Sequence, residues 1–290
     1  MSEISRERKL IMFPSEYYDI KKPDPDYSVE FEAVCEIPEF KIVLFDYDTF
    51  LTEGKIKLYP DNYYKGECVY RGWMLKPEQY LSLYTVLSDK GITLINSPQQ
   101  YENCHLFSNY HKEIEAYTPM SICFSSVDDI TADLVNRTFK RFMVKDFVKS
   151  VKGCDFPQFF KTPVNNDELK KQISKFIEHR DDLFTGGIVL KEYIDFKKYG
   201  DTTNEYRAFF LNEKLLSVCR NSKQPDICIS VPIEFVMRFN TLKSNYYTVD
   251  FGELTDGSWI VIEAGDGQVS GLSPKQHVFK YYDDMRHLMI

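Results

Sequence analysis

Tyr246-Tyr247-Thr248-Val249-Asp250-Phe251-Gly252-Glu253-Leu254, then Thr255-Asp256-Gly257, then Ser258-Trp259-Ile260-Val261-Ile262-Glu263-Ala264 is the stretch that decides the fold of this chain. Asp-Gly between two runs rich in β-branched and aromatic residues is a strong hairpin signal, because a tight turn needs a residue that tolerates positive φ. The hairpin carries Asp250 on its first strand and Glu263 on its second, and Asp266 follows shortly after. Acidic side chains at the ends of paired strands converge. Hard divalent cations such as magnesium take carboxylate oxygens, usually one or two of them together with substrate phosphates. Taken alone, the hairpin is equally well described as acidic loop residues in an acidic protein.

Two upstream stretches add positive charge to that picture. In Glu205-Tyr206-Arg207-Ala208-Phe209-Phe210 the side chains alternate, so Glu205 and Arg207 share one face. An arginine fork suits a phosphate, although an ion pair at the surface explains the same spacing. Lys145 ends a strand and is followed by Lys149, Ser150, Lys152 and Gly153, a set able to place ammonium and backbone N–H groups around a polyphosphate. Lys152 reads better as a solvated lysine. No G-x-x-x-x-G-K-[ST] occurs, which excludes a P-loop nucleotidase. Gly265 to Ser270 superficially looks like a dinucleotide fingerprint, but too little chain follows for a βαβ unit and Pro274 interrupts the helix it would need.

Working outward, the N-terminal part reads as α/β. Lys9 to Phe13 and Lys41 to Phe45 are short apolar strands, with Val29, Ala33, Val34 and Ile37 at helical spacing between them. Glu67 to Arg71 is another strand, and Pro77 opens a helix whose face is expected to be Tyr80, Leu81, Tyr84 and Leu87, closed by Gly91 before a further strand. A helix near Phe107 to Ala116 ends before Thr118-Pro119, the expected lobe boundary. Beyond it come a helix with Leu169, Ile173, Phe176 and Ile177 on one side, the strand leading to Lys191, the two strands around Asn212-Glu213-Lys214, and a helix from about Pro232 to Leu242.

A rival signal is Asp46-Tyr47-Asp48-Thr49 after the strand ending at Phe45, which resembles the D-x-D-x-[TV] nucleophile loop of haloacid-dehalogenase-type phosphatases. Phe50 stands where that pattern needs Thr or Val, and Ser97 would be its second motif. Cys104, His105 and His111 lack the i, i+4 spacing of helical zinc ligands and read as helix-face or core residues.

The chain has 290 residues, enough for roughly two domains. Asp and Glu number 44 against 36 Lys and Arg, and no basic run exceeds Arg6-Glu7-Arg8-Lys9, so a general nucleic-acid footprint is missing while a local basic pocket remains open. Seven cysteines without any C-x-x-C pair point to free thiols in a reducing compartment. The charged first residues do not form a signal peptide, and no stretch approaches a membrane span. A cytoplasmic protein is expected, or one in the cytosol of a host if secreted without an N-terminal signal.

In order, Lys145, Gly187 to Ile194, Glu205 to Phe210, Thr248 to Leu254 and Ile262 to Gly271 resemble an ATP-grasp module, in particular the clade named for one arginine and two lysines. Ile11 to Asp19, Tyr70 to Leu75, Leu94 to His105 and Tyr117-Thr118-Pro119 are similar to the region preceding the grasp in bacterial and viral members. The resemblance implies an α+β / α/β architecture, with an N-terminal α/β pre-grasp domain over residues 1–118 and an ATP-grasp domain over 119–290. Its small lobe would be 119–192 and its C-terminal lobe 193–290. ATP would lie between the lobes with adenine on the backbone of Lys191, Glu192, Tyr193 and Ile194.

On this resemblance Lys145 and Lys191 are the clade's lysines and Arg207 its arginine, with Lys149 and Ser150 near the phosphates. Asp250 and Glu263 would hold magnesium or manganese, and Asp266 would replace the asparagine that many members carry where this chain has Gly265. The implied chemistry is attack of a substrate carboxylate on the γ-phosphate of ATP, with Lys145 and Arg207 neutralising charge, and transfer of the acylphosphate to an amine or thiol. The carboxylate and amine partners include peptides or proteins, the N-terminal region would hold the second substrate, and Arg71 is a candidate carboxylate anchor. The clade also resembles the eukaryotic cell-division-cycle ATP-grasp proteins, which implies an alternative role as a nucleotide-dependent assembly factor.

Overall fold

A computed structural model describes residues 9–289, apart from 63 and 152–154; Lys152 and Gly153 therefore lie outside the described residues. The parallel pairing of Lys9–Pro14 with Phe40–Phe45 on one side and with Gly66–Tyr70 on the other starts the first sheet. Ile92–Leu94 extends it in parallel, and the short strand Leu58–Tyr59 closes the opposite edge antiparallel. Strands covered on both faces read as continuous apolar runs, and Leu10, Ile11, Met12 and Phe13 are all buried.

Two helix faces differ from the expected ones. In Ser28–Cys35, Val29 is exposed and Glu30 is turned inward, because Glu30 has a buried arginine to meet. In Pro77–Asp89 the inner face is Tyr80, Leu83 and Leu87, with Leu81 exposed, which is the i, i+3, i+7 stripe.

The second sheet is antiparallel, in the order Ser121–Phe124, Ile188–Glu192, Arg141–Asp146 and Phe160–Lys161. Phe142, Val144 and Leu190 point to one side and pack with Leu169, Ile173 and Phe176 of the helix Asn166–Arg180. Alternation then sends Met143, Lys145 and Lys191 to the other face, where Met143 and Lys191 are direct partners across the ladder.

The third sheet, also antiparallel, runs Lys214–Arg220, Glu205–Leu211, Tyr246–Glu253 and Trp259–Asp266. Its hairpin turns at Asp256-Gly257, with Gly257 at φ 86° as the Asp-Gly signal requires. The other tight turn puts Asn212 and Glu213 at φ 50° and 63°. The expected helix from Pro232 is short: Ile233–Val236 is α-helical and Met237–Phe239 is 3-10.

Packing crosses the sequence order. Cys104, Phe107, Tyr110 and Ile114 pack on the third sheet beside Tyr247, Val249 and Phe251. In return the last helix, Val278–Leu288, packs Tyr281, Tyr282 and Met285 against Val34, Ile37 and Phe40. Among the described residues no helix is long and apolar enough to cross a membrane, and none of the six described cysteines forms a disulfide.

Candidate functional site

Register places three charges in a row. Arg207, Asp250 and Glu263 lie directly opposite one another on three neighbouring strands of the third sheet. Arg207 donates in a bidentate fork to Asp250, Nε to Oδ1 at 2.8 Å and Nη2 to Oδ2 at 2.7 Å, and its Nη1 donates to the Gly271 carbonyl at 2.8 Å. From the second sheet, Lys145 Nζ donates to Glu263 Oε2 at 2.7 Å. Lys191 Nζ donates to Thr118 Oγ1 at 3.0 Å and to the Ile262 carbonyl at 2.6 Å. Both ammonium groups stand over the Phe107 ring, 5.9 and 5.1 Å from its centroid. The two lysines and Glu263 line one cleft of about 450 Å³ between the second and third sheets.

The electrostatics of the cleft follow from burial and proximity. Burial first, then the neighbouring Lys145 charge, lowers Lys191 to about 7, with Glu263 opposing only in part. Burial also disfavours the charged form of Glu263, but Lys145, Lys149 and Lys191 outweigh it and hold its carboxyl well below the usual carboxylate range.

The loop after Lys145 is fixed by a residue the sequence reading did not single out. Asp146 is fully buried; its Oδ1 accepts from the Val148 and Lys149 N–H groups at 2.7 and 2.6 Å, and its Oδ2 from Arg180 Nε at 2.7 Å. That geometry returns the loop so that Ser150 bridges back to Lys145, and it holds Lys149 and Ser150 beside Glu263. Its signal in the sequence was only an aspartate ending an apolar strand.

At the other end of the cleft, the Glu192 N–H donates to the Met120 carbonyl at 2.7 Å and the Tyr193 N–H to the Arg141 carbonyl at 3.0 Å. Tyr193 stacks on Phe159 with centroids 4.4 Å apart, and Arg141, paired with Asp195, lies over both rings. Glu192, Tyr193 and Ile194 line the cleft. Buried Glu253, also missed, accepts from Lys197 Nζ at 2.7 Å, Asn204 Nδ2 at 2.8 Å and the Tyr199 hydroxyl at 3.0 Å, pinning the small hairpin Lys198–Thr203 there.

Three expected residues stand elsewhere or do something else. Asp266 is fully buried, its Oδ2 accepting from Asn96 Nδ2 at 2.5 Å and its Oδ1 from the Gln268 N–H at 2.9 Å; burial pushes its carboxyl up to about 7. Those partners occupy both oxygens, and Asp266 stands opposite Tyr247, beyond the row but lining the same small chamber as Arg207, Asp250 and Glu263. Arg71, considered as an anchor for a substrate, is 1% exposed, forks onto Glu30 at 2.9 and 3.0 Å and donates to the Gly267 and Ser270 carbonyls at 2.5 and 2.8 Å. It is a structural pin. Asp46 caps the helix Tyr47–Glu53, accepting from the Thr49 N–H at 2.9 Å and the Thr49 hydroxyl at 2.5 Å, and Asp48 sits inside that helix rather than on a nucleophile loop. A groove of about 650 Å³ at the edge of the first sheet, between Ile56–Leu58 and Ser88–Ile92, contains none of the charged set.

The model of an ATP-grasp domain family, the third family of the clade named for one arginine and two lysines, matches residues 126–287. Solved structures with the same fold include a D-alanine–D-alanine ligase from Bacillus anthracis complexed with ATP, at 17% identity, TM-score 0.58, covering 97% of each chain. The D-cycloserine synthetase DcsG matches at 13% identity and TM-score 0.60 over 97% of this chain and all (100%) of its own. A RimK domain protein ATP-grasp from Sphaerobacter thermophilus matches at 11% identity and TM-score 0.61, covering 97% and 98%. No curated protein matches by sequence.

Proposed function

Because the chain belongs to the ATP-grasp family, within the clade of one arginine and two lysines, we propose that it is an ATP- and magnesium-dependent ligase, forming an acylphosphate from a carboxylate and passing the acyl group to an amine or thiol. One observation carries the reading: Lys145 and Lys191 from two strands line one cleft with Glu263, and Arg207 from a third forks onto Asp250, which stands directly across the ladder from Glu263. The proposed division is a pre-grasp domain over residues 1–118 and a grasp over 119–290, with lobes 119–192 and 193–290.

The donor set fits a hard cation. Asp250 and Glu263 offer only oxygen, and among the described residues no group of three or more His, Cys, Asp or Glu gathers, so the remaining ligands would come from phosphate oxygens and water. Magnesium or manganese held there would neutralise charge on the transferring phosphoryl group. Asp266 is left out of the metal set because burial raises its carboxyl to about 7 and so favours the protonated form, which binds a cation poorly.

The chain's own residues then have distinct tasks. Glu192, Tyr193 and Ile194 offer backbone to adenine beneath the Tyr193–Phe159 stack. Lys145 and Lys191 exchange Glu263 and carbonyl partners for phosphate oxygens, and Lys149 and Ser150 cover them from the loop that Asp146 fixes. Arg207 stabilises the charge that builds as the substrate carboxylate attacks the γ-phosphorus and the bond to the ADP oxygen breaks. No side-chain nucleophile is required. Substrates are a carboxylate and an amine, a peptide or protein among them.

The test is titration calorimetry with magnesium and ATP, in which Lys145→Ala and Arg207→Ala should each weaken binding by tenfold or more, about 1.4 kcal/mol, with the fold retained. Wild-type affinity in either variant removes that residue from the site. Turnover of ATP against amino acids, short peptides and aminated metabolites, with mass detection of adducts, identifies the ligase. A protein partner held only with ATP, without adduct, would instead establish an assembly factor.

A further inference from the structure

Behind the two lysines of the cleft stands a ring from the N-terminal part of the chain. Lys145 Nζ lies 5.9 Å and Lys191 Nζ 5.1 Å from the centroid of Phe107, both over its face, so one π system serves two ammonium groups. Like charges brought this close repel, and the Lys145 charge works against the charge on Lys191. The negative face of an aromatic ring offsets that repulsion. Its attraction is stronger where water is excluded, as it is around these lysines, each 5% exposed.

The kind of holder matters. Each ammonium has three donors; among the described residues Lys145 gives one to Glu263, and Lys191 gives two, to the Thr118 hydroxyl and the Ile262 carbonyl. A ring takes up no N–H group in this way, and it carries no net charge to repel an arriving polyphosphate, as a carboxylate would. An ammonium can therefore turn from one acceptor to another without leaving the face that holds it. Phe107 is itself fixed from outside the cleft. It opens the helix Phe107–Ile114, is buried, and donates its N–H at 2.6 Å to the carbonyl of Phe147, two residues beyond Lys145. Tyr110 lies edge-to-face with the ring at 5.4 Å and His111 stacks on it at 5.0 Å. The residue is not part of the cleft lining, so it reaches that site only through the lysines. It also lies before the residues 126–287 that match the family.

We propose that Phe107 is a positioning residue of the nucleotide site: its ring holds the Lys145 and Lys191 ammonium groups together, ready for phosphate, and keeps them there as they change hydrogen-bond partners. A ring that no longer attracts leaves the two groups free to part in the empty cleft, and binding then has to bring them together again. The purpose rests on the nucleotide reading of the cleft, whereas the hold of the ring on the lysines is testable alone.

The experiment replaces Phe107 in the full chain, by nonsense suppression, with mono-, di- and trifluorinated phenylalanine, because ring fluorination drains the negative face while nearly preserving shape and burial. Phe107→Leu and Phe107→Tyr complete the series. One readout is the ε-methylene proton signals of ¹³C-labelled lysine, assigned with Lys145→Arg and Lys191→Arg, since protons over a ring face shift upfield; the other is calorimetric affinity for magnesium ADP. Both lysine signals should lie upfield in the wild type, stay there with saturating magnesium ADP, and lose the displacement in Phe107→Leu but not in Phe107→Tyr. Affinity should fall stepwise with each fluorine, to about tenfold at three, and stay within about twofold of wild type in Phe107→Tyr. If the wild-type signals are not displaced, or if fluorination leaves ADP affinity unchanged while Phe107→Leu lowers it, the ring is only apolar packing: the proposal is overturned and the nucleotide reading survives. If the signals behave as expected while the wild type fails to bind magnesium ADP, the hold of the ring stands and the nucleotide reading falls. The fluorinated series retains the packing, so it decides even if Phe107→Leu fails to fold.

Discussion

Two arginine–carboxylate forks of nearly the same geometry have opposite surroundings. Arg207–Asp250 lines a small chamber of about 80 Å³ together with Glu263, Ser270 and Gly271, with Asn221 as a further neighbour of the acid at 3.3 Å. Arg71–Glu30 is sealed: Arg71 adds two short bonds to backbone carbonyls, and Glu30 also accepts from the Tyr282 hydroxyl. On the proposed function, the first pair is a holding arrangement whose members would change partners when phosphate and metal arrive. The second has no access to any other partner, so the same residue types serve architecture. Exposure to a cavity, more than the presence of an ion pair, separates site from scaffold.

The sharpest way to break this comparison is Arg71→Leu. It leaves Glu30 buried with one hydroxyl for company, and losing one member of a buried pair costs about 3–5 kcal/mol. Urea unfolding should show that loss in the midpoint; a change below about 1 kcal/mol would place Arg71 among the exchangeable cations after all.

A smaller effect sharpens the cleft side. Lys191 sits at about 7 against an ordinary 10.5, so between those values the unfolded chain binds more protons and stability rises with pH. Lys191→Met should flatten that rise in thermal melts while removing nucleotide affinity. In the wild type, phosphates arriving beside Lys191 raise its proton affinity, so binding at pH 8 should take up protons, read as different calorimetric heats in buffers of different ionisation enthalpy. Identical heats would mean that Lys191 does not meet phosphate.

The smallest effect is expected at Asp266. Its folded value of about 7 lies above the ordinary 3.8, so its contribution is full below the ordinary value and is lost as pH rises through about 7. Asp266→Asn should remove that decline in melts and leave the magnesium dependence of nucleotide binding unchanged. A shifted magnesium requirement would return Asp266 to the metal set.

The legible parts of the fold were those with a local cause. Asp256-Gly257 sets its hairpin by turn chemistry, and alternation in Glu205 to Phe210 puts Arg207 on the face it occupies. What could not be read was which charges would be enclosed by distant chain. Glu30 against Arg71, and Asp266 against Asn96, depend on contacts between segments far apart in sequence, and nothing near any of these residues announces them. Val29 and Leu81 fit an apolar period as well as their neighbours did, and the neighbouring layer chose Glu30 and Leu83. Asp146 and Glu253 were missed for the same reason, since a buried carboxylate is recognised by its donors.

The exchange of packing between the two ends of the chain has a practical corollary for anyone wishing to transplant the half that carries the family match. A cut at Thr118 would strip Cys104, Phe107, Tyr110 and Ile114 from the third sheet and bare Tyr281, Tyr282 and Met285 on the last helix. It would also remove Phe107 from beneath both lysines. Each half would be left with an open apolar wound, so the smallest inheritable unit is nearly the whole polypeptide.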